Sequence, residues 1–128
     1  MYKGEIVWNF YTDGKNTNQE KIKNWETFHY ENDIPSNASS PTLLGIITLQ
    51  PGKYLILGRM DAKNFNGNYS YNFILNRSTV RSSLYNGGGT INFVCVEATV
   101  QTEVDVSAWH NAGQTITLRS EGVILQLG

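Results

Sequence analysis

The chain has one cysteine, two histidines and three prolines in 128 residues, and its 10 basic and 11 acidic residues leave a net charge of -1. Each scarcity excludes something. A lone thiol, Cys95, cannot staple the monomer, and its place in the apolar run of residues 91–96 reads as a small buried hydrophobe. With only 16% charged residues and no excess of one sign, there is no basic field for nucleic acid or an anionic membrane. No stretch approaches the roughly 20 apolar residues of a membrane span, so no membrane insertion is expected. The first residues lack an apolar h-region and a small-residue cleavage site, so no signal peptide is seen.

The chemistry of catalysis and metal binding is equally thin. His29 and His110 lie far apart, no His or Cys pair has ligand spacing, and residues 61–68 hold a single carboxylate, which favours a turn over a calcium loop. No metal or cofactor is expected. Gly87, Gly88 and Gly89 do not lead from a strand into a helix, so they read as a hairpin turn and not as a phosphate cradle. A triad of His110, Asp105 and Ser107 fails on geometry: Asp105 and Ser107 share one face of a strand while His110 points the other way. The chain is expected not to be an enzyme.

What is present is strand after strand. Residues 43–49, 54–60, 69–75, 91–102, 104–109, 115–118 and 123–127 are apolar or alternating, with Gly and Asn turns between them. Tyr54, Ile56, Gly58 and Met60 share one face against Leu55, Leu57, Arg59 and Asp61; Val104, Val106 and Ala108 oppose Asp105, Ser107 and Trp109. Such spacing predicts an all-β, two-sheet antiparallel sandwich in a single domain over residues 1–128, with the core sandwich at 43–128. The final apolar strand is expected to sit inside a sheet. Residues 1–11 read as a strand, either in the same sheet or against another protein. Residues 12–42 read as a long polar loop, with a short strand or a helical turn over 23–31. Trp25, Phe28 and Tyr30 are expected to tuck that loop down as a covering of the sandwich, the alternative being an arm that contacts a partner.

Four segments carry a resemblance. Leu49-Gln50-Pro51-Gly52-Lys53-Tyr54-Leu55-Ile56 resembles the Pro-Gly-x-Tyr strand opening of the jelly-roll superfamily that includes tumour necrosis factor and the globular heads of the first complement component. Tyr71-Asn72-Phe73-Ile74-Leu75-Asn76-Arg77, Val104-Asp105-Val106-Ser107-Ala108-Trp109-His110-Asn111 and Gly122-Val123-Ile124-Leu125-Gln126-Leu127 follow in that superfamily's order. One departure is Thr102-Glu103, where the superfamily has Gly-Asp. The short, cysteine-poor, Asn-rich chain is similar to bacteriophage and bacterial members. The resemblance implies a homotrimer built on one sheet and a non-enzymatic receptor-binding module. Its expected place is a virion fibre or bacterial cell surface, and its partner a host-surface glycan or protein.

On that footing Asp105, Ser107 and Trp109 are the expected trimer interface, with Trp109 contributing of order 1.5–3 kcal/mol per copy at the axis and Asp105 forming a carboxylate ring. Ligand binding is expected at two loops that set amides beside aromatics, a surface suited to sugar hydroxyls: Asn64, Phe65, Asn66, Asn68 and Tyr69, with Asn111 nearby. The alternatives are a purely structural trimerisation cap of a fibre or baseplate, and a carbohydrate-binding domain of a glycan-active enzyme.

Overall fold

The computed structural model describes residues 7–12, 15–37, 40–63, 67–77, 79–86 and 89–128, with side chains described at 22–37, 40–63, 67–77 and 89–128. The described residues form nine strands and no helix: β1 (Val7–Thr12), β2 (Lys15–Ile34), β3 (Thr42–Leu49), β4 (Gly52–Ala62), β5 (Asn68–Leu75), β6 (Thr79–Asn86), β7 (Thr90–Ala98), β8 (Thr102–His110) and β9 (Ile116–Leu127). They make a five-stranded sheet, β1-β2-β9-β4-β7, and a four-stranded sheet, β3-β8-β5-β6, with every pairing antiparallel. Apart from the β1–β2 and β5–β6 hairpins, every connection crosses from one sheet to the other. That interleaving is the double Greek key of a jelly-roll sandwich.

Three elements differ from the sequence reading. Residues 15–34 are one long strand and not a loop: its first part pairs with β1 and its remainder with β9, from Ile22 opposite Leu127 to Ile34 opposite Ile116. Phe28 and Ile34 reach the core from it, while Trp25 stays 65% exposed. The two segments read at 115–118 and 123–127 are one strand, because the polar stretch Arg119-Ser120-Glu121-Gly122 remains in the ladder between β2 and β4. β6 was not recognised at all, since TVRSSLYN has little apolar alternation to betray it.

Core packing explains that polar stretch. Phe28, Gly122, Gly58 and Asn92 lie in one row across the five-stranded sheet, facing inward. A Cβ on Gly122 would run into the Leu57 carbonyl and the Phe28 ring, and one on Gly58 would strike the Tyr71 hydroxyl. The two glycines are therefore the floor on which Phe28 and Tyr71 lie. Across the sandwich the Tyr71 and Phe73 rings meet at 5.1 Å, tilted by 60°, and the Tyr71 hydroxyl and Ser120 Oγ share a 2.5 Å hydrogen bond in the interior. The Asn92 amide donates to the Tyr71 carbonyl at 3.0 Å, joining the two sheets at the β7 edge.

Buried His110 closes one end of the sandwich. Its Nε2 donates to the Ile34 carbonyl at 2.7 Å and its Nδ1 accepts from the Ala112 amide at 3.1 Å, which defines the neutral tautomer protonated at Nε2. At the opposite end Asn76 and Arg77 take left-handed φ values of 47° and 62°, and the Asn76 carboxamide accepts from the Glu103 amide at 3.1 Å. Asn tolerates that region by local hydrogen bonding.

Candidate functional site

Strand pairing lines up side chains that are distant in sequence. On the outer face of the five-stranded sheet, Trp25, Leu125, Leu55 and Cys95 form one row. Thr27, Val123, Leu57 and Phe93 form the next. Trp25 is 65% exposed, Phe93 61%, and Ile91 in the following row 72%. Leu55 is buried yet outside the core cluster. Two successive rows thus present an apolar belt, barest at its β2 and β7 edges, and exposed apolar patches of this kind occur at interaction sites. Cys95 belongs to it: the thiol is exposed and not buried as the sequence suggested, because β7 turns Val94 and Val96 inward. Partial desolvation among these neighbours still raises its pKa.

Charges of both signs border the belt. On one side Arg59 Nη1 meets Glu121 Oε1 at 3.3 Å, and His29 Nδ1 lies 3.9 Å from Glu121 Oε2. Asp61 accepts from Arg119 at 3.2 and 2.9 Å and from Arg59 at 3.2 Å, and that pairing raises the Arg119 pKa. On the other side Lys53 stands opposite Glu97.

The outer face of the four-stranded sheet is built differently. Asp105, Ser107 and Trp109 do share it, as the strand parity predicts. They are not bare, however: Ser107 is 3% exposed, and Trp109 is half-buried. Beside them Ser70 and Asn72 are buried, with the Asn72 amide donating to Ser70 Oγ at 2.7 Å and to the Ser107 carbonyl at 3.3 Å. The Trp109 backbone amide also donates to Ser70 Oγ, at 3.3 Å. Among the described residues Ser107 Oγ and Asp105 Oδ1 are enclosed without a hydrogen-bond partner. Among the described residues of this face Leu43 and Ile46 are exposed apolar groups.

The expected ligand loops come together in part. Asn68 and Asn111 are neighbours at the His110 end: the Asn68 amide donates to Asn111 Oδ1 at 3.2 Å, and the Asn111 amide to the Asn68 carbonyl at 3.3 Å. Tyr69 is a correction. It is fully buried and donates its hydroxyl to the Met60 carbonyl at 3.3 Å, because strand alternation turns it into the core with Tyr71 and Phe73. Asn64, Phe65 and Asn66 lie outside the described residues.

A separate cleft of 170 Å³ opens between the sheets where β3 turns into β4. Asn24, Glu26, Gln50, Tyr54, Ile124 and Gln126 are among its lining residues. Sequence reasoning missed it because its residues come from three distant segments. Glu26 and burial together raise the Tyr30 pKa, burial being the larger cause. Among the described residues no three or more His, Cys, Asp or Glu converge as a metal site, and no helix is long and apolar enough to cross a membrane.

No protein-family model matches the chain, and no curated protein sequence matches it. Among solved structures it is similar to the globular domain of zebrafish complement 1qA protein, at 10% identity and a TM-score of 0.43, over 74% of this chain and 94% of that one.

Proposed function

We propose that the chain is a non-enzymatic recognition module that assembles as a homotrimer through the outer face of its five-stranded sheet. In this reading it is displayed on a virion fibre or a bacterial surface, where it binds a host-surface glycan or protein. The apolar belt carries the proposal. Burying an exposed Phe or Trp is worth about 1.5–3 kcal/mol each, and every copy brings Trp25 and Phe93 to the contact. A second copy suits the belt because its rim holds Arg59 and Lys53 as well as Glu121 and Glu97, so like surfaces meet without net repulsion. Threefold closure is drawn from the four sequence segments that resemble the trimeric jelly-roll superfamily. A binding role is supported by His110, whose ring nitrogens are both committed to backbone groups and so are not free for proton transfer.

The test is binding of the fluorescently labelled chain to a panel of bacterial cells, before and after periodate oxidation or protease digestion. Binding abolished by one treatment supports a glycan or a protein receptor accordingly. A stable trimer that binds no cell would instead make the chain a structural cap.

A further inference from the structure

The cleft beside the β3–β4 turn has an unusual lining for its position. Core-facing rows of the five-stranded sheet are apolar at their centre, as Ile56 and Val94 show. Toward the β2 edge the same rows turn polar: Glu26 follows Ile124, and Asn24 follows Gln126 and Tyr54. These side chains point between the sheets at a place where the sandwich is open, so Glu26 and Asn24 are exposed although their strand parity is inward. Among the described residues nothing hydrogen-bonds the Glu26 carboxylate or the side-chain amides of Gln50 and Gln126. The floor beneath them is Leu49, Ile124 and Tyr54, the last fixed by its hydroxyl donating to the Gln50 carbonyl at 2.9 Å.

We infer that this cleft is a binding site for one neutral, hydroxyl-rich ring, such as the terminal pyranose of a glycan. The inference rests on the recognition-module reading and gives that reading a place and a ligand class. Size limits the occupant: 170 Å³ is below the roughly 300–1,000 Å³ of drug-sized ligand pockets, so one ring enters and a chain of rings does not. Charge selects it. The lining holds one carboxylate and no cation, which disfavours anionic sugars. Hydrogen-bonding type selects it further, because amides that donate and accept, beside a carboxylate that only accepts, are together matched by hydroxyls. An apolar floor takes the C–H face of the ring.

The experiment is a titration of the isotopically labelled chain, followed by amide NMR shifts. The probes are methyl glycosides of glucose, galactose, mannose and N-acetylglucosamine, with sialic acid as the anionic control. Saturable shifts at Asn24, Glu26 and Gln126 are expected with at least one neutral glycoside and not with sialic acid. Glu26→Gln keeps shape while removing the charge, and is expected to weaken binding about tenfold or more, the loss of a charge-assisted hydrogen bond. Gln126→Ala is a second variant with the same expectation. No saturable shift with any neutral glycoside, or shifts unaffected by both variants, overturns the inference. The solution mass of the same samples separates the two proposals: an intact trimer that ignores every sugar sinks the cleft alone, whereas a monomer that binds one sinks the assembly alone.

Discussion

The two outer faces of this sandwich handle polarity in opposite ways. On the four-stranded sheet, small polar side chains are buried among larger neighbours and bond to one another, as the Asn72 amide does to Ser70 Oγ. On the five-stranded sheet, large apolar side chains stand in the open beside rows that carry charges of both signs. The first face still encloses Ser107 Oγ and Asp105 Oδ1 without a partner among the described residues, and the second leaves Trp25 and Phe93 bare. The sequence reading placed self-association on Asp105, Ser107 and Trp109; the proposal made here places it on the other sheet.

The largest expected effect breaks the comparison directly. Phe93→Asp puts a charge into the belt at a position exposed in the single chain, so the fold should lose no more than about 0.5 kcal/mol. Assembly, in contrast, should weaken more than about a hundredfold, because each copy loses an aromatic and gains a buried charge. Ile46→Asp on the opposite face should leave the sedimentation profile unchanged. Equal dissociation by both variants would erase the distinction between the faces.

Gly122→Ala probes the interior that both faces share. The new methyl would meet the Leu57 carbonyl and the Phe28 ring, and overpacking of this kind costs about 1–3 kcal/mol. Thermal melts of the variant should show it; an unchanged midpoint would mean that Phe28 does not lie on Gly122.

Tyr71 gives a pH signature. Burial pushes its hydroxyl from 10.0 up to about 12, partly opposed by the hydrogen bond to Ser120. Because the folded value lies above the unfolded one, the neutral hydroxyl's contribution is complete below about pH 10 and is lost as pH rises toward 12, by roughly 2–3 kcal/mol. Denaturant midpoints across that window should fall for the parent chain, and Tyr71→Phe should flatten the fall. Ser107→Ala is the smallest effect. Its Oγ is enclosed without a partner among the described residues, so removal should be neutral or stabilise by up to about 1 kcal/mol in the same assay. A clear destabilisation would reveal a hydrogen bond made by Ser107 Oγ.

Much of the fold was legible in the sequence. The alternation of Tyr54, Ile56, Gly58 and Met60 against Leu55, Leu57, Arg59 and Asp61 gives the inner and outer faces of β4 directly, and the β8 parity holds in the same way. β2 was obscured because most of its outward residues, such as Lys23, Thr27, His29 and Glu31, are polar. Lacking an apolar partner row within its own segment, it looked like a loop. The belt was hidden for a different reason. β7 carries Ile91, Phe93 and Cys95 on one face and Val94 and Val96 on the other, so parity alone cannot say which side is inside. Only the register with β4, β9 and β2 sets Cys95, Leu55, Leu125 and Trp25 in one row. The cleft is still further from sequence, since Glu26, Gln50 and Gln126 meet only after the chain has crossed between sheets.

Sedimentation equilibrium of the unmodified chain at micromolar concentration bears most directly on the claim that the five-stranded sheet is a contact between copies. The account predicts a single species of three times the 14.4 kDa chain mass. A species of 14.4 kDa at every concentration, with Trp25 and Phe93 left in water, would contradict it.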